Sequence, residues 1–181
     1  AKITVHRSRA VTSFPAAFQL VIAANPCPCG MWGQLGQECK CTPYQRVRYL
    51  AKLSGPLMDR IDLQCRVERP KITDLTTSEV PESSKTVRER VLAARRRAQW
   101  RWKEQGVALN ARVPSRVLKH TLDADMKARL DRLVGSGRIS MRGADRICRV
   151  AWTVADLQGR DKPNREDFGL AYSLKNSQRP N

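Results

Sequence analysis

The stretch Val21-Ile-Ala-Ala-Asn-Pro-Cys-Pro-Cys-Gly30, continued by Cys39-Lys-Cys41 and by Ser54-Gly-Pro-Leu-Met-Asp-Arg-Ile-Asp62, decides how the chain is read. Residues 19–24 are a short apolar, β-branched run that Pro26 has to end, because proline brings no N–H to a ladder and forces the preceding residue into an extended conformation. Asn25 is thereby predicted at the C-terminal tip of a buried strand. Ligands bind at that edge of an open α/β sheet, so a lone amide there is a candidate for touching a phosphate or a water. The alternative is a turn-forming Asn before Pro.

Cys27-x-Cys29, nine residues, and then Cys39-x-Cys41 offer four soft ligands in two close pairs. Thiolates in a tetrahedron suit zinc, and the loop 26–42, with three glycines and almost no aliphatic residues, lacks a core of its own to hold it together. Two disulfides or a reduced pair of turns also satisfy the spacing. The pattern of a chain without an export signal points to reduced thiols and hence to a structural Zn²⁺ on Cys27, Cys29, Cys39 and Cys41. Cys65 and Cys148 fall on strand and helix patterns, as small core residues do.

Outside this stretch the composition sets bounds. The 181 residues carry 34 Lys and Arg against 17 Asp and Glu, a net charge of +17 that concentrates polyanions at the surface. Nucleic acid is the expected partner, although a basic surface can also serve solubility alone. No run approaches the ~18 apolar residues of a membrane span and no signal-peptide core is present, so a cytoplasmic, membrane-free location is expected. A hydrophobic content of 41% is enough for a core in one domain or two small ones.

Along the chain, β-branched residues on both sides of His6-Arg-Ser-Arg9 predict a hairpin with a basic tip. Thr42 and Pro43 predict a helix start, with Tyr44, Val47, Leu50 and Leu53 at helical spacing. Ser54-Gly-Pro56 interrupts it, and Ile61-Asp-Leu-Gln-Cys-Arg-Val67 is expected as a further strand. Residues 71–84, rich in Pro, Thr, Ser and Glu, form the expected linker. Thr86 and Glu89 then predict a capping box for a long helix to about Gln105, with Val87, Val91, Ala94, Ala98 and Trp102 inward and Arg88, Arg95, Arg96, Arg97 and Arg101 outward. Two short helices are expected over 115–120 and 123–134. Ser140 N-caps another that runs through Leu157, and a last one begins at Asn164, before a polar tail at 177–181.

The order of these motifs, with Ser140-Met-Arg-Gly-Ala-Asp-Arg-Ile-Cys-Arg-Val-Ala-Trp-Thr-Val-Ala-Asp-Leu157 downstream, closely resembles the magnesium-chelatase-like AAA+ ATPases of the ComM/YifB type. The resemblance implies a partial α/β AAA+ core over 1–70 (hairpin, sensor-1 strand, helix, strand, with the cysteine insertion 26–42), followed by an all-α lid over 85–176, helix-dominated overall. It implies Asn25 as sensor 1, Arg60 as an arginine finger reaching a neighbouring subunit's nucleotide, Arg142 as sensor 2 on the triphosphate, and Arg7 and Arg9 as pore-facing DNA contacts. ATP and Mg²⁺ would be the cofactors, and DNA and further copies in a hexameric ring the partners, in a helicase or branch-migration motor. Neither G-x-x-x-x-G-K-[ST] nor a strand ending in Asp-Glu occurs in the 181 residues, so no activity is expected of this chain alone. Plain readings of the same residues stay open: Arg60 paired with Asp59 or Asp62, Arg142 merely exposed, Arg7 and Arg9 a solvated turn. Two rivals also remain, a zinc-stabilised nucleic-acid-binding module without a motor role and the motor subunit of a metal chelatase.

Overall fold

The computed structural model describes residues 2–34, 36–68, 70 and 81–176. They divide into two compact units, Ala1–Lys52 and Leu53–Asn181.

In the first unit, β1 (Lys2–Arg7) and β2 (Ala10–Pro15) pair antiparallel from Lys2 opposite Pro15 to Arg7 opposite Ala10, with Ser8 and Arg9 at the turn. The alternation that predicted the hairpin is visible in its faces. Ile3, Val5 and Phe14 share one side, while Thr4 and Ser13 share a 2.8 Å hydroxyl bond on the other. Helix α1 (Pro43–Leu50) starts as expected: the Thr42 hydroxyl accepts from the Gln45 amide at 3.2 Å, and the Gln45 side chain accepts from the Thr42 amide at 2.9 Å. This reciprocal capping box satisfies two N–H groups that a helix start leaves without partners.

The expected strands at 19–24 and 61–67 are not formed: the hairpin is the only ladder among the described residues. Both segments are irregular and largely exposed, Val21 at 83% and Val67 at 90%. The physical reason is that a strand exists only as a partner in a ladder, and no neighbouring strand is provided for either one. Asn25 consequently ends an irregular segment, not a buried strand, and is itself exposed. Cys65, expected in a core, is exposed for the same reason, whereas Cys148 is buried. The α1 stripe behaves similarly, with Tyr44 and Val47 facing solvent.

The second unit contains α2 (Gly55–Arg60), α3 (Ser84–Arg101), α4 (Ser115–His120), α5 (Ala124–Gly135), α6 (Met141–Leu157) and α7 (Arg165–Asn176), with single 3₁₀ turns at Lys103–Gln105 and Asn110–Arg112. Of the linker expected over 71–84, residues 71–80 lie outside the described residues, as does the tail 177–181. Helix α3 begins earlier than predicted, because Ser83 accepts from the Thr86 amide and takes the capping role assigned to Thr86 and Glu89. Ser140 caps α6 as predicted, and Asn164 and Asp167 cap α7 reciprocally, each side chain accepting from the other's amide at 2.9 Å. Helix α6 forms the centre of the bundle. Its Ala144, Ile147, Cys148 and Ala151 are fully buried against Leu118, Leu130, Phe168 and Trp102.

One polar network crosses this core. Asp156, 1% exposed, receives the Arg101 guanidinium in a two-bond fork at 2.5 and 3.1 Å and the Asn110 amide at 2.9 Å. Asn110 accepts from the Trp102 indole at 2.7 Å, and Arg101 lies 4.2 Å over the Trp152 ring. Arg101 is therefore turned inward, contrary to its expected outward place: a buried carboxylate demands a cation, and a planar fork over an aromatic face supplies one with little hydration to lose. Removing one partner of such a pair leaves the other buried and unpaired. Asp156→Ala is expected to destabilise this unit by ~3–5 kcal/mol in denaturant unfolding, and the paired replacement Arg101→Met with Asp156→Leu by clearly less. A loss below ~1 kcal/mol for the single variant would show that the pair behaves as a surface contact.

Candidate functional site

The four clustered cysteines converge. Their sulfurs all lie within 4.8 Å of one another, Cys27 to Cys29 at 3.4 Å and Cys39 to each of these at 3.7 Å. Four thiolates ~2.3 Å from a tetrahedral ion stand ~3.8 Å apart, so the donor set fits a thiophilic metal. Disulfides fit poorly, since a bonded pair requires ~2.05 Å and all four cysteines are free.

The local chain explains the convergence. Gly30 takes φ of 78°, a left-handed turn that lets its amide bond the Cys27 carbonyl at 3.0 Å and reverses the chain between the ligand pairs. The Trp32 amide points at the Cys27 sulfur at 3.4 Å, and the Met31 amide, then the Cys27 thiol, push the Cys29 thiol down to about 6. The opposite holds at Cys41, where the Cys29 amide is outweighed by desolvation and the neighbouring thiols, which push it up to about 11. Thiolates crowded this closely repel one another, a conflict that keeping some of them protonated or placing a cation among them relieves. Arg46 ties the loop to α1: it donates to the Cys41 carbonyl at 3.1 Å and its guanidinium lies 5.3 Å over the Trp32 ring. Sequence reasoning overlooked this arginine, although Arg46 stands one turn into α1 from the last ligand.

In the second unit, α2 and the start of α6 bring Arg60 and Arg142 to the same edge of the bundle through Asp59. The Asp59 carboxylate accepts from the Ser140 hydroxyl at 2.8 Å and lies 4.0 Å from the Arg142 guanidinium. Asp62 is taken by Arg146. Arg60 thus pairs with neither acidic neighbour: it is exposed and donates only to its own helix, at the Pro56 carbonyl, 2.7 Å. Asp59 also accounts for a cation in the first turn of α6, because it places an anion at the positive end of that helix. The Asp59–Arg142 pair is long and half-exposed, a class worth ~0–1 kcal/mol, so Arg142 can leave it at little cost. Arg7 and Arg9 are exposed at the hairpin turn.

Residues 1–75 match the family described as magnesium chelatase, subunit ChlI, and residues 81–175 match magnesium chelatase, subunit ChlI C-terminal. The chain belongs to the magnesium-chelatase-like family of the ComM/YifB type. It is 39% identical over 176 residues to an uncharacterized protein of Mycobacterium tuberculosis and 37% over 177 residues to YifB of Escherichia coli, in each case covering 96% of this chain and 34% of the relative. The competence protein ComM of Haemophilus influenzae is 36% identical over 161 residues, 87% of this chain and 30% of that protein. The chain spans about a third of the length of the relatives it matches.

Proposed function

We propose that this chain supplies the sensor and arginine elements of an ATP-hydrolysing AAA+ motor that assembles as a ring and acts on DNA. The observation that carries the reading is Arg60, an exposed guanidinium whose two acidic neighbours are both engaged by the lid. A planar, permanently charged fork held free in this way is suited to the charge that spreads over a transferring phosphoryl group at a subunit boundary. Arg142 would bind phosphate oxygens and Asn25 would hold the attacking water in line. ATP with Mg²⁺ supplies the phosphoryl group, and the residues that cradle it are assigned to the part of the longer protein outside this chain. In the full-length protein, Asn25→Ala, Arg60→Ala and Arg142→Ala are each expected to cut ATP turnover by ~10²-fold or more with folding intact, Arg60→Ala most severely. Near-native turnover of the Arg60→Ala ring would remove the finger assignment, and turnover indifferent to DNA would favour a chelatase-type motor.

For DNA, the hairpin tip with Arg7 and Arg9 and the outer face of α3 are the proposed contacts. On that face Arg88, Arg95 and Arg96 make no ion pair among the described residues, and Trp100 is 75% exposed beside Arg96. Cations without carboxylate partners beside an exposed ring suit a backbone with stacked bases, and a relative that bears the name of a competence protein supports this choice of partner. Binding is expected to be weak, blind to sequence and steeply weakened by salt, because counterion release supplies its free energy. A salt-insensitive or sequence-selective interaction in a titration would refute it.

The four cysteines are proposed to hold one structural Zn²⁺. With four protein thiolates the ion keeps no position for water, so it has no catalytic part and serves to fold the loop. Protein purified under reducing conditions is expected to contain about one zinc per chain, lost together with loop order in Cys39→Ser. Metal-free protein with an ordered loop would withdraw the site.

A further inference from the structure

We infer that Lys175, on the last helix, is a positioning residue for Arg60; this rests on the finger reading given above. The observation is a buried ammonium, 6% exposed, whose Nζ donates to the carbonyls of Met58 at 3.0 Å, Asp59 at 2.9 Å and Ile61 at 2.7 Å. A lysine has three N–H donors, and here each one meets a backbone oxygen. Two of those oxygens belong to the residues immediately before and after Arg60, so Lys175 fixes the backbone on both sides of the guanidinium it serves.

Helix α2 needs such a clamp. At six residues it is far below the ~12–15 at which an isolated helix becomes marginal, and none of its side chains is buried. Its C-terminal carbonyls have no partners within the helix and carry the negative end of its dipole, which is where a cation is favoured. Burying an ammonium is costly unless its donors are met, and these three backbone oxygens meet them. The fixed point is reinforced from α6 and α7. Ser140 holds Asp59, Arg146 holds Asp62, and the Gln64 amide bonds the Leu174 carbonyl at 2.7 Å.

Lys175 therefore does not touch the reacting phosphate. It carries the position of Arg60 on the lid, so that any movement of α6 and α7 moves the finger with them. The neutral variant Lys175→Met removes the donor shared by three carbonyls, of which Met58 keeps the Ile61 amide at 3.2 Å and the Gln64 side chain at 3.4 Å, and so loosens the backbone on both sides of Arg60; a misplacement of ~1 Å is enough to cost ~10²-fold in a positioned reaction.

The test is a double-mutant cycle on ATP turnover in the full-length protein. Lys175→Met is expected to lower kcat ~10-fold or more with KM for ATP within ~2-fold, because a finger acts on the transition state and not on ground-state binding. Combined with Arg60→Ala it is expected to lower kcat no further than Arg60→Ala alone, since it acts only through that residue. Unchanged turnover in Lys175→Met, or a double variant falling below Arg60→Ala by the full single-variant factor, would overturn the inference while leaving the finger assignment in place. Full activity in Arg60→Ala would remove the finger and the inference together. Should Lys175→Met fail to fold, Lys175→Gln, which keeps two donors, carries the same cycle, expected to show a smaller loss of kcat that again vanishes in the Arg60→Ala background.

Discussion

The helical unit is built around a carboxylate that is 1% exposed. Asp156 sits near the end of α6 and collects Arg101 from α3 and Asn110 from the 3₁₀ turn, while its carbonyl accepts from Arg97 at 2.9 Å. A charge buried this deeply in an apolar bundle is tolerated only when its lone pairs are met and a cation lies against it, so the positions of three segments are dictated by one residue. The two tryptophans complete the arrangement. Trp102 and Trp152 meet edge to face with centroids 5.4 Å apart, Trp102 donating to Asn110 and Trp152 to the Thr121 hydroxyl at 3.1 Å. Helix packing fixes distances loosely, to within a side chain's adaptability; this network fixes register.

The first unit follows a different rule, since what it lacks is burial. Its hairpin, the segment 16–25 and α1 bury almost nothing among the described residues, although Phe18, Val21, Tyr44 and Val47 are large and apolar. Large apolar side chains left in solvent contribute no packing that would hold the unit together. A cross-linked loop offers local order that does not depend on such packing. The cysteine cluster, with Cys27 fully buried inside an otherwise exposed stretch, gives the unit its one local centre. Arg46 extends that centre into α1 by joining Trp32 to the Cys41 carbonyl.

Much of the lid was legible because helices announce themselves locally. Ser140, Asp123 and Thr42 cap where their side chains allow, and the apolar spacing of α6 gave its buried face. The strands at 19–24 and 61–67 were misplaced because a strand's existence depends on partners elsewhere, and no property of the run itself reports them. Polar core residues were overlooked for a subtler reason. Lys175 stands at i+7 from Phe168 and i+4 from Ala171, and Asp156 at i+4 from Trp152, so periodicity put both on the buried stripe. Neither entered the sequence reading, although their spacing had already placed them inside.

The same distinction governs the candidate site. A cysteine pattern is legible as a metal centre because the ligands are close in sequence and their chemistry is narrow, whereas the arginines depend on contacts 81 to 117 residues apart in the chain, from Ser140 and Arg146 to Asp59 and Asp62 and from Lys175 to Met58. Sequence alone leaves Arg60 with two acidic neighbours, and the simplest electrostatics would pair it with one of them. The fold decides otherwise by drawing both carboxylates toward α6. With its neighbours neutralised by other groups, Arg60 keeps a full charge and an exposed fork while its backbone is pinned by Lys175. An arginine with no carboxylate partner among the described residues, held on a fixed backbone, has few local arrangements left to lose, and low reorganisation of this kind is what suits a cation to developing charge.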